Sequence, residues 1–191
     1  MNKIYTKSTY IGCPVQSQYQ LDHNNLKSIY KTLSFARDSI DRPFAIKIII
    51  GLKDSETLDI KKFTRRIKTK FGDSGFAMAY SFEHAHTRKD HLEVMFVFNR
   101  NIYQPKSAYN LFFTCIHKLD GIRSTIKSNG TTTYSIQCFD TWDDKTGHNL
   151  KNPEQFKDAM TRYSYLSKQD DKQNVTRKRT FGTIVGKSNS C

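Results

Sequence analysis

The chain is short of acid. Among its 191 residues there are 18 aspartates and glutamates against 31 lysines and arginines, a formal net charge of +13 with a pI of about 9.6. An excess of this size calls for a polyanionic partner, nucleic acid first. Long apolar runs are also missing: none approaches the ~18 residues that a membrane span needs, so no membrane partner is expected. Met1 to Gln20 is polar and holds no signal-peptide core. Cysteine is sparse and scattered. Cys13, Cys115, Cys138 and Cys191 show no paired ligand spacing, which argues against a zinc ribbon or a disulfide frame and predicts reduced thiols in the cytoplasm. Internal repeats and low-complexity linkers are absent too.

What is present is enough apolar residue to fold. Hydrophobics make up 37% and aromatics 13% of the chain, in keeping with one domain that has a real core. Residues 1–23 read as an irregular arm, 24–183 as the domain and 184–191 as a flexible tail. Within the domain, Asn24 to Ile40 carries a helical stripe of Leu26, Ile29, Leu33 and Ala36. Phe44 to Leu52 is a β-branched strand with Lys47 on the face opposite Ile46 and Ile48. Ser55 is placed to cap a helix whose apolar side is Leu58, Phe63 and Ile67. Phe76 to His84 and Leu92 to Asn99 read as two strands of a hairpin. A helix follows from Pro105 to about Leu119, then a strand from Thr132 to Phe139. A polar loop runs from about Trp142 to Lys151. Pro153 leads a last helix to about Lys168. This order predicts an α+β fold: a central antiparallel β-sheet covered by helices, largely on one face.

Two short signals carry chemistry. Residues two apart on a strand share a face, so His91 and Glu93 project together while Leu92 turns inward with Val94 and Phe96. Glu83, across the hairpin, can reach the same face. Two carboxylates and an imidazole form an oxygen-rich set suited to Mg²⁺ or Mn²⁺, and such an ion can polarise a phosphate oxygen. Taken alone, the triplet is equally compatible with an ordinary solvated hairpin end. His84-Ala85-His86 has the same spacing but falls in the expected hairpin loop and is expected to be exposed.

The second signal is Tyr165-Leu166-Ser167-Lys168. Phe156, Ala159, Met160, Tyr163 and Leu166 form the apolar stripe of the last helix. Tyr165 lies about 200° from Tyr163 around that helix, among Thr161, Arg162, Lys168 and Gln169. Tyr165 is therefore expected to be exposed and Tyr163 structural. A phenol titrates near pH 10 and is a poor nucleophile at neutrality. Lys168, one turn along, can supply the cation that favours phenolate and neutralises phosphate.

Together these residues resemble the motifs of the HUH endonucleases, the rolling-circle replication initiators and relaxases. His91-Leu92-Glu93 is similar to the histidine-hydrophobic-histidine motif with an acidic residue in the second position. Glu83 takes the place of the upstream acidic ligand, and Tyr165 and Lys168 match the Tyr-x-x-Lys motif. Closer still, Leu26 to Gly182 resembles the filamentous-phage (inovirus) replication initiator family. The likeness lies in Arg42-Pro43-Phe44-Ala45-Ile46-Lys47, in Leu92 to Asn99, in Tyr163 to Lys168 and in Arg179-Thr180-Phe181-Gly182. Glu93 departs from that family's usual histidine and should favour a harder metal.

The resemblance implies a ferredoxin-like or RRM-like palm and sequence-specific nicking and joining of single-stranded DNA. Tyr165 would attack a phosphodiester at an origin or hairpin, stay linked to the 5′ phosphate and free a 3′ hydroxyl. It also implies a bacterial host cell and a host helicase and polymerase as partners. Lys47, Arg88, Lys89, Arg162, Lys61 and Arg65 are candidates for the DNA backbone, as is the basic tail Arg177-Lys178-Arg179; solvated faces are the simpler reading for most of the lysines. A HUH transposase or relaxase uses the same chemistry. A non-catalytic DNA- or RNA-binding regulator and a structural nucleoprotein are the alternatives of another class. Two further signals are set aside. Gly182 to Ser188 is one residue short of a phosphate-binding loop, and Cys115-Ile116-His117 belongs to a predicted apolar helix.

Overall fold

The computed structural model describes residues 3–85, 89–138, 147–172, 175 and 179–186. The N-terminal segment is tied down by four two-residue strands: β1 (Ile4–Tyr5), β2 (Thr9–Tyr10), β3 (Cys13–Pro14) and β4 (Leu21–Asp22), paired β1 with β4 and β2 with β3. Helix α1 (His23–Ser39) follows, its first turn capped by the Asp22 carboxylate, which accepts from the Asn25 amide at 2.8 Å. Strand β5 (Pro43–Gly51) leads to α2 (Ile60–Phe71). The long hairpin β6 (Phe76–Ala85) and β7 (Lys89–Asn99) comes next, then α3 (Pro105–Ile116). Short strands β8 (Ser124–Ile126), β9 (Thr132–Tyr134), β10 (Ile136–Cys138) and β11 (His148–Asn149) precede α4 (Pro153–Ser164) and the final strand β12 (Phe181–Gly186).

The main sheet runs β10-β5-β7-β6-β12, with β11 also on β5, and every pairing is antiparallel. An α+β fold with an antiparallel sheet is as expected, but its covering is not. Helices pack on both faces, because both parities of the central strands are buried. Phe76, Met78, Tyr80 and Phe82, with Leu92, Val94, Phe96 and Phe98, face α2 and α3. Ala77, Ala79, Ala45, Met95 and Val97 face α1 and α4. The alanines are too small to announce a second core by hydropathy, yet they let a helix approach the sheet closely.

Other expectations shift as well. Residues 4–22 form part of the domain, since Tyr10, Cys13, Val15 and Leu21 are buried with α1 and α4. Strand β12 pairs with β6 from Phe181 to Gly186, beyond the expected domain boundary at 183, so residues 184–186 belong to the sheet and not to a flexible tail. Ser55 does not cap α2: it is buried, and Asp59 caps instead by accepting from the Lys62 amide at 2.9 Å. The strand expected over Thr132 to Phe139 divides, β9 pairing with β8 and β10 joining the main sheet. Residues 139–146, which include Phe139 and the first part of the expected loop from Trp142, lie outside the described residues, as do Arg177, Lys178 and residues 187–191. Among the described residues, no helix is long and apolar enough to cross a membrane.

Candidate metal centre and tyrosine

The α1/α4 face of the sheet changes character along its strands. At one end it is Ala77, Ala79, Ala45 and Val97; at the other it is Ser81, Glu83, His91, Glu93 and Lys47. Register brings these together. Glu83 on β6 lies opposite His91 on β7, and Ser81 opposite Glu93. Lys47 on β5 pairs with Met95, which puts it diagonally beside Glu93.

The expected triplet is assembled and buried: Glu83, His91 and Glu93 are 1%, 3% and 1% exposed. Their ligand atoms lie within 4.8 Å of one another. His91 Nδ1 lies 2.9 Å from the Lys89 carbonyl, to which its N–H donates. That leaves the Nε2 lone pair 3.8 Å from Glu83 and 3.8 Å from Glu93, the orientation that outer-sphere hydrogen bonds give to metal-binding imidazoles. Neither oxygen of Glu83 accepts a hydrogen bond among the described residues. A buried carboxylate without such partners is costly unless a cation compensates it. Burial, and then the neighbouring Glu93, push its pKa up to about 7. Burial acts the same way on Glu93, but His91 and Lys47 outweigh it and hold that carboxyl below its usual range. Burial opposes charge on His91 too, yet Glu93, the Lys89 carbonyl and Glu83 raise its pKa. Donors of this kind at this spacing fit a hard divalent ion, whose bound ligands sit about 3 to 4 Å apart at bond lengths of ~2.1 Å.

Tyr165 and Lys168 meet this centre from α4, though not as an exposed surface pair. The helix ends at Ser164, and Tyr165–Ser167 form a tighter 3₁₀ turn. Tyr165 is half-buried, and Lys168, only 5% exposed, donates from Nζ to the phenol oxygen. The reason lies in the N-terminal segment. Leu21 bridges to Lys168, the Gln169 amide donates to the Gln20 carbonyl at 2.9 Å, and the Tyr19 ring stands edge-on to Tyr165 at 5.2 Å. Burial raises the Tyr165 pKa to about 12; Lys168 opposes this, while Glu83 and Glu93 add to it. Glu83 and Glu93 thus disfavour phenolate at Tyr165, and a divalent cation held between the two carboxylates would offset that effect. Tyr163 is buried, as expected, beside His148.

The candidate DNA contacts divide. Lys47 does not stand free to follow a backbone: its ammonium lies 2.9 Å from Glu93 and 4.9 Å from the centre of the Tyr165 ring. Lys61 and Arg65 are exposed, but on α2, across the sheet from the triplet. Lys89 is exposed and serves His91 through its carbonyl. The Arg162 guanidinium lies over the Tyr163 ring. Arg88 and His86 lie outside the described residues. His84 is on β6 rather than in a loop, where it pairs with Asp90 and not with the triplet. Cys115 is buried in the α2/α3 core, and His117 bonds to the Phe113 carbonyl at 2.9 Å, consistent with packing. Residues 182–186 lie on β12 and form no phosphate loop.

Two residues escaped sequence reasoning. Tyr19 gave no signal, because its partner is 146 positions away. Lys172 could have been found from its spacing of four from Lys168. Its ammonium donates to the Leu166 carbonyl at 2.7 Å. Burial lowers its pKa to about 8, against the pull of Glu83 and Asp22. Comparison of the chain with protein-family models, with curated proteins and with solved structures finds no match in any of the three.

Proposed function

We propose that this protein nicks and rejoins single-stranded DNA through covalent attachment to Tyr165, as the resemblance to HUH replication initiators implies. The observation that carries this reading is the meeting of the Tyr165–Lys168 pair with a buried Glu83–His91–Glu93 set across Lys47, whose ammonium lies against both Glu93 and the Tyr165 ring. Glu83, His91 and Glu93 would hold Mg²⁺ or Mn²⁺. When bound, that ion supplies charge stabilisation to a phosphate oxygen. Lys168 orients the phenol oxygen and stabilises it as it loses its proton. That oxygen forms the bond to phosphorus; the bond from phosphorus to the 3′ oxygen breaks, and the 3′ oxygen takes up, by way of solvent, the one proton that the phenol gave up. The phosphotyrosine keeps the ester's energy, so the reverse step rejoins the strand without ATP. Rolling-circle initiation with a host helicase and polymerase is the setting we favour; transposition or conjugation would use the same step.

The test is a denaturing gel of labelled single-stranded DNA pools with the protein and Mn²⁺. An adduct lost in Tyr165→Phe and in EDTA, but kept in Tyr163→Phe, is the expected result. Tight binding with no adduct for any DNA would favour a non-catalytic binding module, a reading to which the half-buried, high-pKa phenol lends some support.

A further inference from the structure

A cavity on the α1/α4 side of the sheet has no part in the chemistry above. It encloses about 370 Å³ between the β2–β3 turn, α1 and the start of α4. Tyr30 and Phe156 line it with aromatic surface, edge to face at 6.1 Å. Its charged lining among the described residues is all of one sign: Arg37, Lys151 and Lys157. The Arg37 guanidinium lies over the Phe156 ring at 4.7 Å, a flat cationic platform. Arg37 and Lys157 bond to Asp38 and Glu154, but on the exposed surface, where such pairs are weak and yield to a stronger anion.

This cavity is also lined by a strained residue, Ile11. Ile11 and Gly12 form the two-residue turn between β2 and β3, with φ of +49° and +73°. Positive φ at both positions suits a tight hairpin and favours asparagine followed by glycine. A β-branched residue there is strained. Ile11 is also 61% exposed, while Tyr10 and Cys13 beside it are buried. Neither local conformation nor the core of the protein accounts for an isoleucine at this point. Strain at such a position marks a residue kept for what it touches.

We infer that the Ile11–Arg37–Phe156 cavity is a subsite for one nucleotide of single-stranded DNA, its base between Ile11 and the Arg37–Phe156 stack and its phosphate against Lys151 and Lys157. Apolar and aromatic surface ringed by cations is how single strands are gripped with little demand on sequence. The location agrees, an argument that rests on the nicking proposal. Phe156 and Tyr165 lie on one helix and its terminal turn, about 14 Å apart along the axis, a span that a few nucleotides of strand cover. An acidic peptide with an apolar residue is the competing ligand, but the flat guanidinium–aromatic platform suits a base better.

The experiment uses the full chain carrying Tyr165→Phe, in EDTA, with fluorescent single-stranded 20-mers of pooled sequence and, separately, an acidic polyglutamate peptide. Two variants are compared: Ile11→Asn, and Lys151→Glu with Lys157→Glu. Ile11→Asn should raise the melting temperature by about 3 °C as strain is relieved, yet weaken DNA binding about tenfold. The charge reversal should weaken binding and flatten its salt dependence. Unchanged DNA binding in Ile11→Asn overturns the subsite, whether or not the charge reversal weakens it, because surface charge would then suffice. Peptide binding that is lost in both variants, with DNA binding intact, also overturns it and assigns the cavity to a protein partner. The nicking proposal is judged separately, with Tyr165 restored in wild type and in both variants: an adduct that both then form at the wild-type rate and DNA concentration sinks the subsite alone.

Discussion

Lys47 and Glu93 form an ion pair of 2.9 Å in which the carboxylate is 1% exposed and the lysine 19%. They sit on neighbouring strands, on the diagonal that cross-strand side chains can span. The ammonium thus holds one oxygen of a carboxylate that the proposed ion would also need.

Lys47→Met should therefore act in opposite directions on two measurements. Without metal the variant should lose about 1–3 kcal/mol of stability, because a buried carboxylate loses its charged partner. Mn²⁺ should bind it more tightly than wild type, since a competing cation is gone, while adduct formation slows by about tenfold or more. Calorimetric titration with Mn²⁺ checks the sign. Weaker Mn²⁺ binding would show that Lys47 supports the centre instead of competing for it.

Glu83→Gln tests whether burial of this group is tolerated for the sake of a cation. Removing a charge that no hydrogen bond satisfies among the described residues should leave the metal-free protein as stable as wild type or more so at pH 8. The same change should lower Mn²⁺ affinity by about a hundredfold and remove the thermal shift that Mn²⁺ gives wild type. A large loss of metal-free stability would mean that Glu83 is structural.

His148 governs an acid limb away from the centre. Burial, aided by Arg162 and opposed by Asp158, lowers its pKa to about 4. A depressed histidine binds its proton more readily when unfolded. Its contribution is therefore complete above the unfolded pKa near 6.5 and is lost as pH falls from there towards 4. The full loss is about 3 kcal/mol. Urea unfolding at pH 7 and pH 5 should show about 2 kcal/mol of this fall in wild type and a smaller one in His148→Gln. Equal falls would place the acid sensitivity elsewhere.

Tyr163 should separate packing from chemistry. The Phe variant keeps the ring and should cost no more than about 1 kcal/mol, with adduct formation unchanged. The Ala variant empties a fully buried aromatic site and should cost about 3–5 kcal/mol. A Phe variant that folds normally but forms no adduct would give Tyr163 a chemical role.

How much of this was legible in the sequence depended on distance along the chain. His91 and Glu93 share a face by strand period alone, and Glu83 meets them through a hairpin; both are local facts that patterning encodes. The division of Tyr163 from Tyr165 by helical angle held for the buried partner. It failed for the exposed one, because the helix tightens at Tyr165 and a segment from the other end of the chain covers it. Lys47 was read correctly as facing away from Ile46 and Ile48, but hydropathy cannot say which carboxylate waits on the neighbouring strand. The strand Phe181–Gly186 is short and flanked by basic residues, and it becomes a strand because the edge of β6 needs a partner.

The clamp on Tyr165 also has a consequence for the order of events in folding. The Gln16 amide donates to Ser164 Oγ across 148 positions, and Gln20 receives the Gln169 amide across a similar span. Closing loops of that length is slow relative to forming the β6–β7 hairpin. The three candidate ligands can thus gather early, in the middle of the chain, while the phenol is set only when the two distant segments meet. On the nicking proposal, a nascent chain on the ribosome would hold metal before it could cut, and Tyr165 would be armed by the completion of the fold itself.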